Sequence, residues 1–119
     1  MTIREFYAVA DGNYDEAIGR LMNEKRILKY LRKLPATDDY KLMNEAFASG
    51  SWEEAFRYSH NLKGVSLNLS ITSLGAAADA LCNTVRHGPP TVDFSGLLED
   101  VNRRYESVVA AIAEIEDVE

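Results

Sequence analysis

The sequence predicts an all-α protein: an antiparallel up-down four-helix bundle with additional short N-terminal helices. Three observations carry that expectation. Apolar residues recur at spacings of three and four along most of the chain, and no stretch alternates apolar with polar residues as a strand would. Glycine, proline, serine and asparagine fall between the periodic stretches, where turns and caps need them. Four of the stretches are long and joined by short connections, which makes neighbours of successive helices. The 119 residues, 46% of them apolar, suffice for one domain with one core. The expected division places N-terminal helices over 1–36, packed on a bundle core over 37–117.

Residues 2–9 read as a short helix ended by Asp11-Gly12-Asn13. Residues 14–22 make a second, with Ala17, Ile18 and Leu21 on one stripe. Asn23 can cap a third over about 24–34, with Ile27, Leu28, Leu31 and Leu34 inward and Pro35 as its stop. Thr37 or Asp38 starts a fourth, which runs to about Ser49 and buries Leu42, Met43, Ala46 and Phe47. Gly50 is suited to the position just past a helix end, and Ser51-x-x-Glu54 has the form of a capping box. The helix it opens runs from about Ser51 to Leu69. Ser70 or Thr72 can cap the next, about 72–87, on which Leu74, Ala78, Leu81 and Val85 share a face. His87-Gly88-Pro89-Pro90 ends it. The last helix, about 94–116, has the cleanest stripe: Leu98, Val101, Tyr105, Val108, Ile112 and Ile115.

The fifth helix carries the chemistry. At 100° per residue, Ala55, Tyr58, Leu62, Val65 and Leu69 share one side and His60 falls opposite, in solvent. Lys63 and Gly64, three and four residues on, lie beside it. A glycine inside a helix costs about 1 kcal/mol relative to alanine, so its presence here calls for a reason. An imidazole has an unperturbed pKa of about 6.5 and is a good nucleophile near neutral pH. An ammonium one turn away can offset the charge of a phosphoryl group, and glycine leaves room for a bulky partner to bring one in line. His60, Lys63 and Gly64 therefore suit phosphoryl acceptance. Lys63 has an ordinary alternative as a solvated lysine. Phe56 and Leu67 lie within about 40° of His60 on the wheel and suggest a docking patch. Phe56 has the alternative of packing under the N-terminal helices. Glu53 and Arg57 share the face and are candidate partner contacts. Ser59 and Ser66, at the edge of the stripe, suit close helix packing.

These residues also carry a resemblance. His60-Asn61-Leu62-Lys63-Gly64, followed by Val65-Ser66-Leu67-Asn68-Leu69-Ser70, resembles the His-x-Leu-Lys-Gly motif of histidine-containing phosphotransfer (HPt) domains of bacterial phosphorelays. Leu74, Ala77, Ala78 and Leu81 fit the family's next helix, and Gly50-Ser51-Trp52-Glu53-Glu54-Ala55 looks like its turn into the histidine helix. The resemblance covers roughly residues 37 to 115. It departs from the pattern at Ser70, where the family usually has glycine, and at Cys82, where it often has glutamate. It implies that residues 1–119 form a single HPt domain. His60, through Nε2, would then take a phosphoryl group from a receiver-domain aspartate and pass it to another. Lys63 would neutralise phosphoryl charge and Gly64 would give steric access, with Phe56, Arg57 and Leu67 meeting the partner. The chain would hold no cofactor of its own, since Mg²⁺ is expected on the receiver. Its partners would be receiver domains of response regulators or hybrid histidine kinases. A helical adaptor that docks a receiver without phosphotransfer is the alternative, and a plain structural bundle a third reading.

Other features bound the reading. A net charge of −6 argues against direct nucleic-acid binding. No apolar run approaches the roughly 20 residues of a membrane span, and the N-terminus lacks the form of a signal peptide, so the expectation is a cytoplasmic protein with no membrane contact. A monomer is expected, since the helices can satisfy one another. His87, at a helix end, is expected to cap. Cys82 is expected as a packed thiol, without disulfide or metal partners. No phosphate-binding glycine loop is present, so the chain is read as a phosphoryl carrier without its own kinase or ATP site. Lys25, Arg26, Lys29, Arg32 and Lys33 make one basic helix, while Glu114, Glu116, Asp117 and Glu119 crowd the C-terminal end. The basic face is either solvated or in contact with an acidic partner or another part of the chain.

Overall fold

A computed structural model describes residues 1–119 in seven α-helices and no strands. These are α1 (Ile3–Val9), α2 (Tyr14–Leu21), α3 (Glu24–Leu31), α4 (Asp39–Ser49), α5 (Trp52–Asn68), α6 (Thr72–Asn83) and α7 (Ser95–Ala113). Side-chain caps start the three short helices. The Thr2 hydroxyl accepts from the Glu5 amide while the Glu5 carboxylate accepts from the Thr2 amide, a reciprocal box. Asn13 and Asn23 accept from the amides of Glu16 and Arg26 at 3.0 and 2.8 Å. α4 ends on Gly50 in the left-handed region, φ +73°, as its sequence predicts.

Three expected caps do not form. Ser51 makes no cap bond; its hydroxyl pairs instead with that of Ser49 at 2.9 Å. Ile71, not Ser70 or Thr72, occupies the N-cap of α6 and is buried. α6 itself closes at Asn83, earlier than expected. The Thr84 amide and hydroxyl both reach the Leu81 carbonyl, so the end is satisfied three residues before His87, which stays exposed.

α5 packs against α4 on one flank and α6 on the other, and α6 packs on α7. α4 meets α7 through the stacked rings of Tyr40 and Tyr105, 3.7 Å between centroids, and paired amides of Asn44 and Asn102. Phe47, Trp52 and Phe94 close one end as an aromatic cluster with centroids 5.0 to 6.4 Å apart. One apolar cluster runs from Ile3, Phe6 and Tyr7 of α1, through Ile27 and Leu31 of α3, to Val101, Val108 and Ile112 of α7.

The buried stripe of α5 is Ala55, Ser59, Leu62, Ser66 and Leu69: Ala55, Leu62 and Leu69 are inward as expected, but Ser59 and Ser66 take the places expected of Tyr58 and Val65. Tyr58 is half-buried and Val65 is 39% exposed. The stripe turns toward α6 because that seam is tight: a Cβ at Gly75 of α6 would fall 2.5 Å from the Leu67 side chain. Serines fit where larger residues would hold the helices apart. Ser59 satisfies its hydroxyl within its own helix, donating to the Ala55 carbonyl at 2.6 Å.

The N-terminal segment is tied to the far end of α5. The Tyr7 hydroxyl donates to the Leu69 carbonyl at 2.6 Å, the Asn13 amide donates to the Ser70 carbonyl at 2.9 Å, and Arg20 donates to the Leu67 carbonyl. Ser70 itself has φ +58°, which explains why a glycine suits this position. Its hydroxyl donates to the Glu16 carboxylate at 2.9 Å, a bond glycine would lack. At the other end of the segment, Arg32 of the basic helix pairs with Asp117, while Lys25, Arg26, Lys29 and Lys33 stay exposed; the basic face meets the acidic end of the chain at one residue and is otherwise solvated.

Candidate functional site

His60 sits in the middle of α5, exposed, on the face away from the buried stripe. Its ring lies against Phe56 one turn earlier, with centroids 5.4 Å apart and planes tilted by 32°. Phe56 is half-buried, and the Arg86 guanidinium, from the turn after α6, covers its ring at 5.3 Å. An arginine, a phenyl ring and the imidazole thus form one row across α6 and α5, in which the cation interacts favourably with the ring face. Arg86 is held in turn by the Asn83 side-chain oxygen, at 3.1 and 2.8 Å.

Gly64 is exposed, and a Cβ built on it would meet no other atom within 4 Å. Nothing in this chain's own packing requires glycine there. Lys63 is not a free lysine. Its ammonium lies 2.8 Å from an Asp79 carboxylate oxygen on α6, and its side chain is 27% exposed. The Lys63 hydrogen bond is the main reason the Asp79 carboxyl sits below its usual range, with Arg86 and Asn83 adding to the effect. Behind this pair lies Cys82, fully buried, its thiol pushed up by burial.

The remaining sequence-selected residues sit farther out. Arg57 is exposed and turns to Tyr58, donating to its hydroxyl at 3.1 Å. Leu67 is 40% exposed, about 10 Å along the axis from His60, and leans on Gly75. The structure therefore brings His60, Phe56, Lys63 and Gly64 together and leaves Arg57 and Leu67 at the margin. Sequence reasoning missed Asp79 and Arg86. Both lie on the α6 side, 19 and 26 residues after the histidine. Only the pairing of the two helices brings them in; a charge on the otherwise apolar α6 was the available signal.

An apolar cavity of about 550 Å³ opens on another flank of α5, between Leu62, Val65, Leu69, Tyr40 and Tyr105. None of His60, Lys63 and Gly64 lines it. The imidazole lies exposed on the helix surface, and its surroundings suit chemistry brought by a second macromolecule. No helix is long and apolar enough to cross a membrane. The fold and the exposed histidine describe an all-helical module whose candidate site lies open on its surface. The family model for the Hpt domain matches residues 35–117, more than half of the chain, and the protein belongs to that family. Hpt domains are phosphocarrier modules of phosphorelays, without kinase activity, and interact with receiver domains. No curated protein and no solved structure matches the chain.

Proposed function

We propose that this protein relays a phosphoryl group between receiver-domain aspartates of a multistep phosphorelay, with His60 as the acceptor. In the tautomer protonated on Nδ1, the Nε2 lone pair attacks the phosphorus of an aspartyl phosphate. The N–P bond forms, the acyl O–P bond breaks, and its electron pair leaves with the receiver's carboxylate; Nδ1 keeps its proton. The reverse step delivers the group to the next receiver. The observation that carries this reading is the exposed imidazole with open space over Gly64, one turn on. Approach in line with the nucleophile is what such a transfer demands of a carrier.

Lys63 neutralises phosphoryl charge, and Gly64 gives the receiver clearance. Phe56 anchors the centre of the docking surface, with Arg57 and Leu67 toward its edge. Mg²⁺ belongs to the receiver, and this chain needs no cofactor. The partners are receiver domains of response regulators or hybrid kinases, not nucleic acid or membrane, and the protein acts as a cytoplasmic monomer. The architecture beneath is a four-helix antiparallel up-down bundle of α4–α7. Paired contacts support it: Tyr40, Asn44 and Phe47 meet Tyr105, Asn102 and Phe94 in descending order. Phe56, Lys63 and Leu67 likewise meet Arg86, Asp79 and Gly75. Residues 1–36 complete the same single domain through the shared core.

The test is phosphoryl transfer from receiver domains of the same organism charged with acetyl phosphate. Wild type should take an acid-labile label and His60→Gln none. Equal labelling of the two, or receiver binding by both with no label on either, would exclude His60 as the carrier.

A further inference from the structure

Lys63 has a partner before any phosphoryl group arrives. Its ammonium and the Asp79 carboxylate are 2.8 Å apart, with 27% and 42% of the side chains exposed. A lysine on the surface of a helix has four rotatable bonds and no need to point anywhere. Here its charge is directed across the seam to α6 and offset there. The depressed titration of Asp79, caused chiefly by Lys63, is consistent with a carboxylate that stays ionised and keeps hold of the ammonium. Arg86, the other cation near Asp79, is engaged by Asn83 and the Phe56 ring and does not take the lysine's place.

We infer that Asp79 is a positioning residue for the carrier reaction: it competes with the phosphoryl group for Lys63 and so keeps the group on His60 transferable. The inference rests on His60 being the acceptor. When His60 is unmodified, Lys63 is neutralised by Asp79. When His60 carries the phosphoryl group, Lys63 must leave Asp79 or share its three donors between carboxylate and phosphoryl oxygens. Either way the phosphorylated form gains less from Lys63 than it would from an unpaired lysine. A relay intermediate benefits from this arrangement. A carrier that bound its phosphoryl group too well would hold it against the acceptor receiver. The long side chain also stays close to the reacting face, so no search is needed when the exchange occurs.

The experiment measures how a phosphoryl group divides at equilibrium between His60 and the aspartate of a receiver charged with acetyl phosphate. Asp79→Asn should shift the ratio toward His60 by roughly two- to fivefold, the size of one exposed ion pair. Asp79→Glu, which keeps the charge, should rescue the wild-type ratio. In a Lys63→Met background, Asp79→Asn should no longer shift it. Melting curves verify that each variant is folded. An unchanged ratio in Asp79→Asn, or a shift that persists without Lys63, overturns the inference. A purely structural role would alter melting and leave the ratio alone. Failure of wild type to take label at His60 would instead overturn the carrier reading itself, and the inference with it.

Discussion

The middle and the C-terminal end of α5 are held very differently. From Leu67 to Ser70, three backbone carbonyls and one hydroxyl are engaged by Tyr7, Asn13, Glu16 and Arg20 of the N-terminal segment. Around His60 the outer face is open: Gly64 faces empty space, and the imidazole lies against the Phe56 ring, which Arg86 covers from the α6 side. The same helix is fixed at one end and exposed at its centre. The proposed acceptor role asks for an accessible imidazole, yet a helix end free to fray would let its position drift. The N-terminal ties hold the helix without covering the histidine.

Gly64→Glu should break the open half of this comparison most sharply. With no atom near the new Cβ, the helix accepts the residue, and its better propensity should raise stability by up to about 1 kcal/mol. Bulk and charge should lower the phosphotransfer rate by roughly a hundredfold. Stopped-flow transfer and urea unfolding would then move in opposite directions; a normal rate would mean that no partner uses this clearance.

Tyr7→Phe attacks the tied half. It leaves the buried Leu69 carbonyl without its donor, a loss of about 1–3 kcal/mol read by denaturant unfolding. The pH dependence has a definite sign. Burial pushes the Tyr7 phenol well above the usual tyrosine range, so folding favours its protonated form. The stability this contributes is complete below the unfolded value of about 10 and declines as pH rises through it toward the folded value. Tyr40 and Tyr105 are raised by burial as well, so Tyr7→Phe should flatten the alkaline decline without abolishing it.

The smallest effect belongs to Ser70. Ser70→Ala keeps the strained backbone and loses the bond to Glu16, which should cost about 1 kcal/mol. Ser70→Gly loses the same bond but relieves the left-handed conformation, so it should cost less than Ser70→Ala. The reverse order, measured by the same unfolding method, would remove strain from the account of this corner.

How far the sequence could be read follows from what kind of contact each feature needs. The stripe of α7 was legible because Val101, Tyr105, Val108 and Ile112 are large and apolar, and burial follows hydrophobicity there. On α5 the same rule chose Val65 over Ser66. The true inward face is set by how closely α6 approaches, and a wheel of one helix contains no information about that distance. His60, Lys63 and Gly64 were legible as a set because neighbours at three and four residues adjoin on any helix. Asp79 and Arg86 were not, since their place beside the site depends on the pairing between two helices. The Ser51-x-x-Glu54 pattern had the right letters, but the Ser51 hydroxyl pairs with Ser49 across the turn at Gly50, a contact the pattern does not contain.

Trp52 is the chain's single tryptophan, and it stands in the first turn of α5 among Phe47 and Phe94. It lies eight residues, about 12 Å along the axis, from His60. Its fluorescence therefore reports the aromatic end where α4, α5 and the start of α7 converge, not the face that carries His60. Docking of a partner over His60 that leaves the emission unchanged would mark a rigid surface. A change on docking would show that the partner's arrival is felt two turns away, at the opposite end of the helix from the N-terminal ties.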